Sequence, residues 1–421
     1  MVRSLNHPIS MPLCVFEDAA VGHLAPLTLT RAAFDLRVGA VTLLGGLRDA
    51  FEGAAGPLAL HTRPRVAAVT AQEHPDALVG RLPEGGVLFA NGRWLVREGD
   101  LLDAVRAAVG TDRPRAWVRG DDLVAAWHPA PPPDALERPL LDLFDGAEEA
   151  EGAVLVRHLW NLLDDLDARI AHDVARLGGL GHHEGRVHPT AVLAHPESIH
   201  VGVGAVVRPG AVLNAEAGPI HVGPEAVVEE GAVLRGPVYL GPRAVVKAAG
   251  RVEASAVGTW SKVGGEVHES VVHSFSNKAH DGYLGNSYLG RWCNLGADTN
   301  TSNLKNDYGE VTVYDAVAGD FVPTGRQFVG LFMGDHAKCS INTMFNTGTV
   351  VGVFCNLFGS GFPPRHVPSF SWGGAEGLVP YRIEKALRVA EAVMARRGVP
   401  LTEADRALLA AIAEDAGASP A

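Results

Sequence analysis

Apolar side chains recur every six residues through residues 187–362. Val222, Val228, Leu234, Leu240, Val246 and Val252 keep the interval without a slip, and so do Met333, Cys339, Phe345, Val351 and Leu357. An earlier run reads Val201, Val207, Leu213, and Gly follows several anchors, as at Val201, Leu240, Leu289, Leu295 and Val351. A beat of six matches neither a helix (about 3.6) nor a half-buried strand (about 2), but a hexapeptide β-helix repeat. Each unit makes a short strand and a turn, and three units close a triangular coil. The anchor points into the prism and Gly fits the tight corner. A Val/Gly-rich β-sandwich would not hold a strict six over so many units. The rhythm breaks between Val257 and Leu284 and again between Thr301 and Phe332. Loops that interrupt a rigid stack are where such proteins place function.

The patterns outside the repeat differ. Residues 11–150 mix β-like runs (Leu13–Phe16, Val66–Val69, Gly86–Phe89, Ala116–Arg119) with helix-like stretches such as Leu101–Val109. That alternation favours an α/β domain. The Pro-rich segment His128–Pro133 reads as a surface crossing. Leu155, Leu159, Leu162, Leu166 and Ile170 repeat at three to four, which predicts a helix over 150–177. It serves as a linker at 151–181, ended by Gly178, Gly179 and Gly181, and the solenoid then fills 182–362. The tail, 363–421, carries Pro363, Pro364 and Pro368, then a helix around Tyr381–Arg396. A second helix follows Thr402, with Asp405 in a capping arrangement. These helices are expected to cap the open end of the solenoid, whose strand edges need cover.

Composition narrows the class. The chain has 421 residues, 47% hydrophobic, with no apolar run long enough to span a bilayer. Its first residues lack the apolar core of a signal peptide, so a cytoplasmic protein with no membrane partner is expected. A formal charge of −12 argues against nucleic acid as partner, because phosphate contacts need a basic face. It leaves room for a local basic pocket. Cys14, Cys293, Cys339 and Cys355 form no CxxC pair, which suits a reduced setting without structural zinc. His182, His183, His188, His195, His200 and the Gly334-Asp335-His336 triplet lack a metal-ligand spacing. Trp260, Trp292 and Trp372 are expected at coil edges or a subunit interface.

Polar residues crowd the breaks, at 274–285 and 290–306. His280 lies near Lys278 and Asp281, and Asn294, Asn300, Asn303 and Asn306 follow. Buried carboxamides each need partners, so a solenoid gains little from them. A neutral His beside carboxamides and a Lys suits general-base removal of a proton from an amine, with donors for a developing oxyanion. The other reading is a His satisfied by hydrogen bonds that does no chemistry.

The stretch Lys278-Ala279-His280-x-x-Tyr283-Leu284-Gly285, with Asn294-Leu295-Gly296-Ala297 and Asn-x-x-Asn at 300–303, resembles a known family. It is similar to the acetyltransferase domain of the bifunctional UDP-N-acetylglucosamine diphosphorylase/glucosamine-1-phosphate N-acetyltransferases. Their divergent bacterial variants, sugar nucleotidyltransferases, are more similar still. Shared with these variants are Pro26–Arg31, Asp35–Gly39, Thr301–Gly309, Phe358–Pro364 and Ser369–Gly374. The resemblance implies a left-handed parallel β-helix that trimerises, with sites between subunits. It implies His280 as the base that frees a sugar 2-amino group to attack acetyl-CoA. It places Tyr283 and Asn294 on the sugar phosphate, Asn303 beside the acetyl group, and Ala297 at a backbone contact to the cofactor. Asp298 departs from the family's Gly, and a carboxylate there would repel a phosphate or take a cationic sugar. The family's phosphate-binding cations have no secure counterpart; Lys262, Lys278, Lys305 and Arg291 are the candidates.

A nucleotidyltransferase of this kind carries a Gly-rich basic loop after its first strand. Here Leu13–Phe16 runs into a segment with one Gly before Arg31. Arg31 and Arg37 are the candidates to replace the missing cation at a nucleotide. Glu17, Asp18 and Asp35 are candidates for Mg²⁺. The alternative is a structural Asp35–Arg37 ion pair, and Asn91-Gly92-Arg93 reads as a hairpin turn. The function expected is acetyl-CoA-dependent N-acetylation of an amino-sugar 1-phosphate, with nucleotidyl transfer from a nucleoside triphosphate by the first domain. Two alternatives stand beside it: nucleotidyl transfer alone on a trimeric scaffold, and a non-catalytic sugar-nucleotide-binding regulator.

Overall fold

In a computed structural model, residues 12–51 and 56–418 are described; the start of the chain examined for a leader, 1–11, lies outside them. Two compact units form. The first takes the chain up to Val21, then Arg31–Leu36 and Val41–Arg157. The second takes Gly22–Thr30, Arg37–Ala40 and the chain from His158 onward.

The first unit is built on a seven-stranded sheet: β1 (Leu13–Phe16), β2 (Leu58–His61), β3 (Leu78–Val79), β4 (Val87–Asn91), β5 (Arg115–Arg119), β6 (Asp122–His128) and β7 (Glu148–Glu149). Their order is β3-β2-β1-β4-β6-β5-β7. Strands β1 to β4 pair in parallel, and β6 runs antiparallel between β4 and β5. Strands β1 and β4 are buried along their whole length, as central parallel strands covered on both faces should be. Helices α1 (Leu43–Ala50), α2 (Pro64–Glu73) and α3 (Asp100–Ala108) complete the unit. Val66–Val69, expected as a strand, lies inside α2. Pro64 at the first turn sets a helical φ, and Val66 and Val69 three apart form its buried face.

The second unit holds a parallel β-helix with three walls, consistent with the left-handed hexapeptide prism. One wall stacks Val201, Val222, Leu240, Val257, Val272, Leu289, Met333, Val351 and Val367 in register. The next stacks Val187, Val207, Val228, Val246, Val263 and then Lys278. The third stacks Leu193, Leu213, Leu234, Val252, Val267 and Leu284. The beat is lost where coils shorten. Leu240 to Val257 takes 17 residues and Val257 to Val272 only 15, against 18 for three units of six. The second break is an insertion holding an antiparallel hairpin, Thr312–Asp315 with Asp320–Pro323.

One corner of the prism carries Glu225, Arg243, Trp260, Phe275, Trp292, His336, Phe354 and Phe370, all left-handed with φ between 54° and 62°. Such backbone costs a non-Gly residue roughly 1–2 kcal/mol. Ring stacking along the column offsets it: Phe275 on Trp292 at 4.2 Å, His336 on Phe354 at 4.5 Å. Trp260 and Trp292 thus sit at coil corners.

The helix expected over 150–177 forms only as α4 (Leu166–Leu177). Leu159–Leu163 is a 3₁₀ turn, and Asp165 breaks the path with φ 48°. The tail forms α5 (Ile383–Ala395) and α6 (Glu403–Asp415), the latter with the Thr402/Asp405 capping box. These helices do not close the open end. Gly377–Pro380 pairs with the last strand, Ser371–Gly374, and closes that edge. Helix α5 instead runs back along the stack, with Lys385 over Trp372 (3.9 Å) and Arg397 over Trp260 (5.2 Å).

An aromatic ladder climbs the first wall. His200 stacks on His221 at 4.7 Å, and His221 on Tyr239 at 5.4 Å. Burial, and then the charge of His200, push the His221 imidazole down to about 4 from 6.5. Between these values the unfolded chain binds a proton that the folded chain refuses. Solenoid stability should therefore fall as pH drops from 6.5 to about 4, and level off below. His221→Phe should remove that part of the slope. Denaturant midpoints across this window check it; equal slopes in the two chains count against the buried neutral ring.

Candidate active site

Lys278 occupies an inward position where its neighbours carry Val, and it is 2% exposed. A buried ammonium must spend its protons. Its Nζ donates to the carbonyls of Gly264 (2.9 Å), His280 (2.6 Å) and Gly282 (2.7 Å). Burial pushes the amine down to about 8. Two of the three bonds pin the carbonyls of His280 and Gly282, and the His280 side chain is exposed to solvent. Lys278 thus has no proton left for a phosphate, which corrects its expected place on the substrate.

The next coils bring Tyr283 and Asn303 together. Asn303 Nδ2 donates to Tyr283 Oη (3.0 Å) and to Asn286 Oδ1 (2.6 Å), and Asn286 Nδ2 donates to Glu269 (2.5 Å). The Tyr283 ring folds over Gly285, where a Cβ would stand 2.2 Å from the phenol oxygen. Burial raises the Tyr283 phenol above its ordinary value, so it stays protonated. Beside this pair opens a cleft of about 430 Å³ lined by Arg251, Glu266, Asp281, Tyr283, Asp298 and Asn300 among others. Asp298 is left-handed (φ 56°), a conformation Asp tolerates where Gly is the default. Three carboxylates face one guanidinium here, and Arg251 is already bonded to Glu266 at 2.7 Å.

The other candidates lie apart from this lining. Asn294 is exposed on the outward ladder above Asn277, and Lys262 lies below it on that ladder. The Ala297 carbonyl accepts from the Asn342 N–H. Lys305 Nζ donates to the Glu310 carbonyl, and the Arg291 N–H to Asp335 (2.7 Å). Arg251 was not among the expected cations. Only its register opposite Glu266, invisible in the sequence, brings it to the cleft.

In the first unit the carboxyl ends of β1, β2 and β4 converge where the strand order reverses, the usual ligand crevice of an open α/β sheet. Asp18 after β1 takes Arg93 through both oxygens (2.8 and 2.6 Å) and Asn91 at 2.7 Å. Burial alone would raise the Asp18 carboxyl, but Arg93 and Asn91 hold it below the ordinary carboxylate range. Both oxygens therefore already accept hydrogen bonds from the protein. Asn91-Gly92-Arg93 is not a hairpin turn: it leaves β4 to reach Asp18, and α3 and β5 follow before β6 pairs back. Glu17 accepts from Arg63 Nε (3.0 Å) and from the Ala33 N–H (2.7 Å).

Asp35 meets His74 (2.9 Å), with Glu73 in reach, and does not pair with Arg37. Arg31 is buried, 2% exposed. Arg37 belongs to the second unit, donating to the carbonyls of Gly39 and Ala40 and lying over Tyr239. Arg63, whose side chain is 31% exposed, is the cation at the crevice that the sequence did not flag.

Residues 13–179 match the family model described as sugar nucleotidyl transferase. A bifunctional sugar-1-phosphate nucleotidylyltransferase/acetyltransferase of Sulfurisphaera tokodaii is 34% identical over 93 residues, 22% of this chain and 23% of that protein. The bifunctional protein GlmU of Methanococcus aeolicus is 31% identical over 134 residues, 32% of this chain and 27% of that one. The matches span about a quarter of these relatives' length. Among solved structures, a UDP-N-acetylglucosamine acyltransferase from Campylobacter jejuni aligns with 53% of this chain and 94% of its own, at 12% identity and TM-score 0.27.

Two substitutions probe these centres. Arg93→Ala leaves Asp18 without its cation, and should cost roughly 3–5 kcal/mol, as for a broken buried pair. Denaturation followed by the fluorescence of Trp94, Trp117 and Trp127 reads it. A loss below about 1 kcal/mol would mean that the pair behaves as a surface pair. Lys278→Met strips three carbonyls of their donor and should cost about 1–3 kcal/mol. An unchanged unfolding midpoint would contradict that assignment.

Proposed function

We propose that the chain is a transferase of sugar-nucleotide biosynthesis whose solenoid acetylates the amine of an amino sugar, with acetyl-CoA as donor. The observation that carries this reading is the Tyr283–Asn303 pair beside an acidic cleft, with the backbone of His280 pinned next to it. The cleft's carboxylates attract an ammonium. His280 takes a proton from it, and the freed nitrogen attacks the thioester carbon. Asn303 orients the amine and the acetyl group. As the tetrahedral intermediate collapses, the C–S bond breaks, the thiolate takes the proton from the imidazolium, and the nitrogen releases its second proton to solvent. No acyl-enzyme forms, which fits the buried state of all four cysteines.

A homotrimer completes the site in this reading. Support comes from apolar side chains left exposed around the 296–304 segment: Phe328 (50%), Ile341 (65%) and Met344 (39%). Met344 pairs with Asn300, and Phe328 bridges to Leu304. The first unit joins the sugar 1-phosphate to a nucleotide with loss of pyrophosphate, and Arg63 at the crevice faces the phosphates. Asp35, with Glu73 and His74, is the cluster of this unit that would hold a divalent cation, at the opposite end of α2 from Arg63.

His280→Ala is the direct test, since an exposed ring can be removed without harm to the core. Thiol release from acetyl-CoA with a panel of amino sugars and their 1-phosphates should fall by about 10²–10⁴. Turnover that survives the change would sink the assignment of the base. Pyrophosphate release, measured separately, should be untouched in His280→Ala and reduced in Arg63→Ala.

A further inference from the structure

His23, His158 and Asp315 are far apart in sequence, yet their ligand atoms lie within 4.8 Å of one another. All three belong to the second unit. Asp315 Oδ2 stands 2.8 Å from His23 Nδ1 and 3.1 Å from His158 Nδ1. The carboxylate is 2% exposed, and the rings are open to solvent at 29% and 33%. The acetyl-transfer site uses none of these groups.

The cluster is held in place from behind. Asp315 Oδ1 accepts the N–H groups of Val317 (2.9 Å) and Ala318 (3.0 Å), which fix the carboxylate and leave Oδ2 turned to the rings. Trp160 stacks flat on His158, at 4.4 Å and 4°, and sets the plane of that imidazole. The His23 ring meets it edge-on at 5.2 Å. Arg326 binds the Trp160 carbonyl (3.0 Å), so the stacking partner is itself tied down. Outer bonds of this kind orient the ligands in metal sites.

We propose that His23, His158 and Asp315 bind a divalent ion of the zinc class, with one coordination position open to water. Two imidazole nitrogens and one carboxylate oxygen suit that ion, and bonds of about 2.0–2.2 Å put tetrahedral ligand atoms roughly 3.4 Å apart. The two carboxylate–imidazole spacings, 2.8 and 3.1 Å, need to widen by only a few tenths of an ångström. The ion rivets the hairpin 312–323 to the segments carrying His23 and His158. Coordination through Nδ1 takes each ring as the neutral tautomer with its proton on Nε2.

The full chain, stripped with a chelator, is the material for the test. Titrated Co²⁺ should give the visible absorption of tetrahedral cobalt, and Zn²⁺ should displace it. Elemental analysis after gel filtration should find one ion per chain. Zn²⁺ should raise the thermal midpoint of the unsubstituted chain and not that of His23→Gln or His158→Gln, whose affinity should fall by about tenfold or more. Binding unchanged in both variants would place the ion on surface histidines and overturn the proposal. Should either variant fail to fold, the unsubstituted chain decides: without the one-to-one cobalt spectrum the three residues are only a hydrogen-bonded cluster.

Discussion

Each rung of the prism gives one inward side chain to a narrow interior, and parallel register sets that side chain directly on the one below. Val246, Val263 and Lys278 follow one another in this way. An inward position accepts an apolar group, or a polar one that spends all its hydrogen bonds locally. Lys278 meets the second condition through three carbonyls. Two of those carbonyls belong to His280 and Gly282. The bonds that let a cation sit in the interior are thus the bonds that fix the backbone of the proposed base. Closure of the coil and placement of the chemistry are one set of interactions.

Coil length follows from the same constraint. A 15-residue coil has fewer turn residues than one of 18, so its corners must be tighter. Left-handed backbone supplies tight corners, and along one edge the chain uses large aromatic residues there instead of Gly. The strain is tolerated because the rings stack on one another from coil to coil, and because α5 lies beside the column. Removing one ring would therefore unbalance two neighbours as well as its own corner.

The walls of the prism were legible because period six is a local signal, repeated in each coil. Strands β1, β4 and β5, helix α3 and the Thr402 cap were legible for similar reasons: each rests on a short run of neighbours. The helix expected from Leu155 was not, because a leucine spacing of three to four says nothing of a left-handed Asp165 within it. Val66–Val69 showed apolar content but not the Pro64 that starts a helix. The site divides in the same way. The motif around His280 and Tyr283 is contiguous and readable. Arg251, Arg63, the Arg93–Asp18 pair and the Asp315 cluster depend on register and long-range packing. Lys278 was seen, but its direction was not, since nothing in the sequence tells an inward lysine from an outward one.

Charge separates the two units. In the first, Asp18 is matched by Arg93 and Glu17 by Arg63, whose side chain stays partly exposed. In the second, Arg251 goes to Glu266, while Asp281 and Asp298 stay exposed in the cleft. Lys278, buried and bound to carbonyls, lies within electrostatic reach of both. Such a cleft draws in a protonated amine and, by the same attraction, raises that amine's pKa. An ammonium has no lone pair and cannot attack a thioester. A site that binds its acceptor through carboxylates must therefore also take a proton from it. The solvent-facing imidazole of His280, next in the chain to Asp281, is the base proposed for that step.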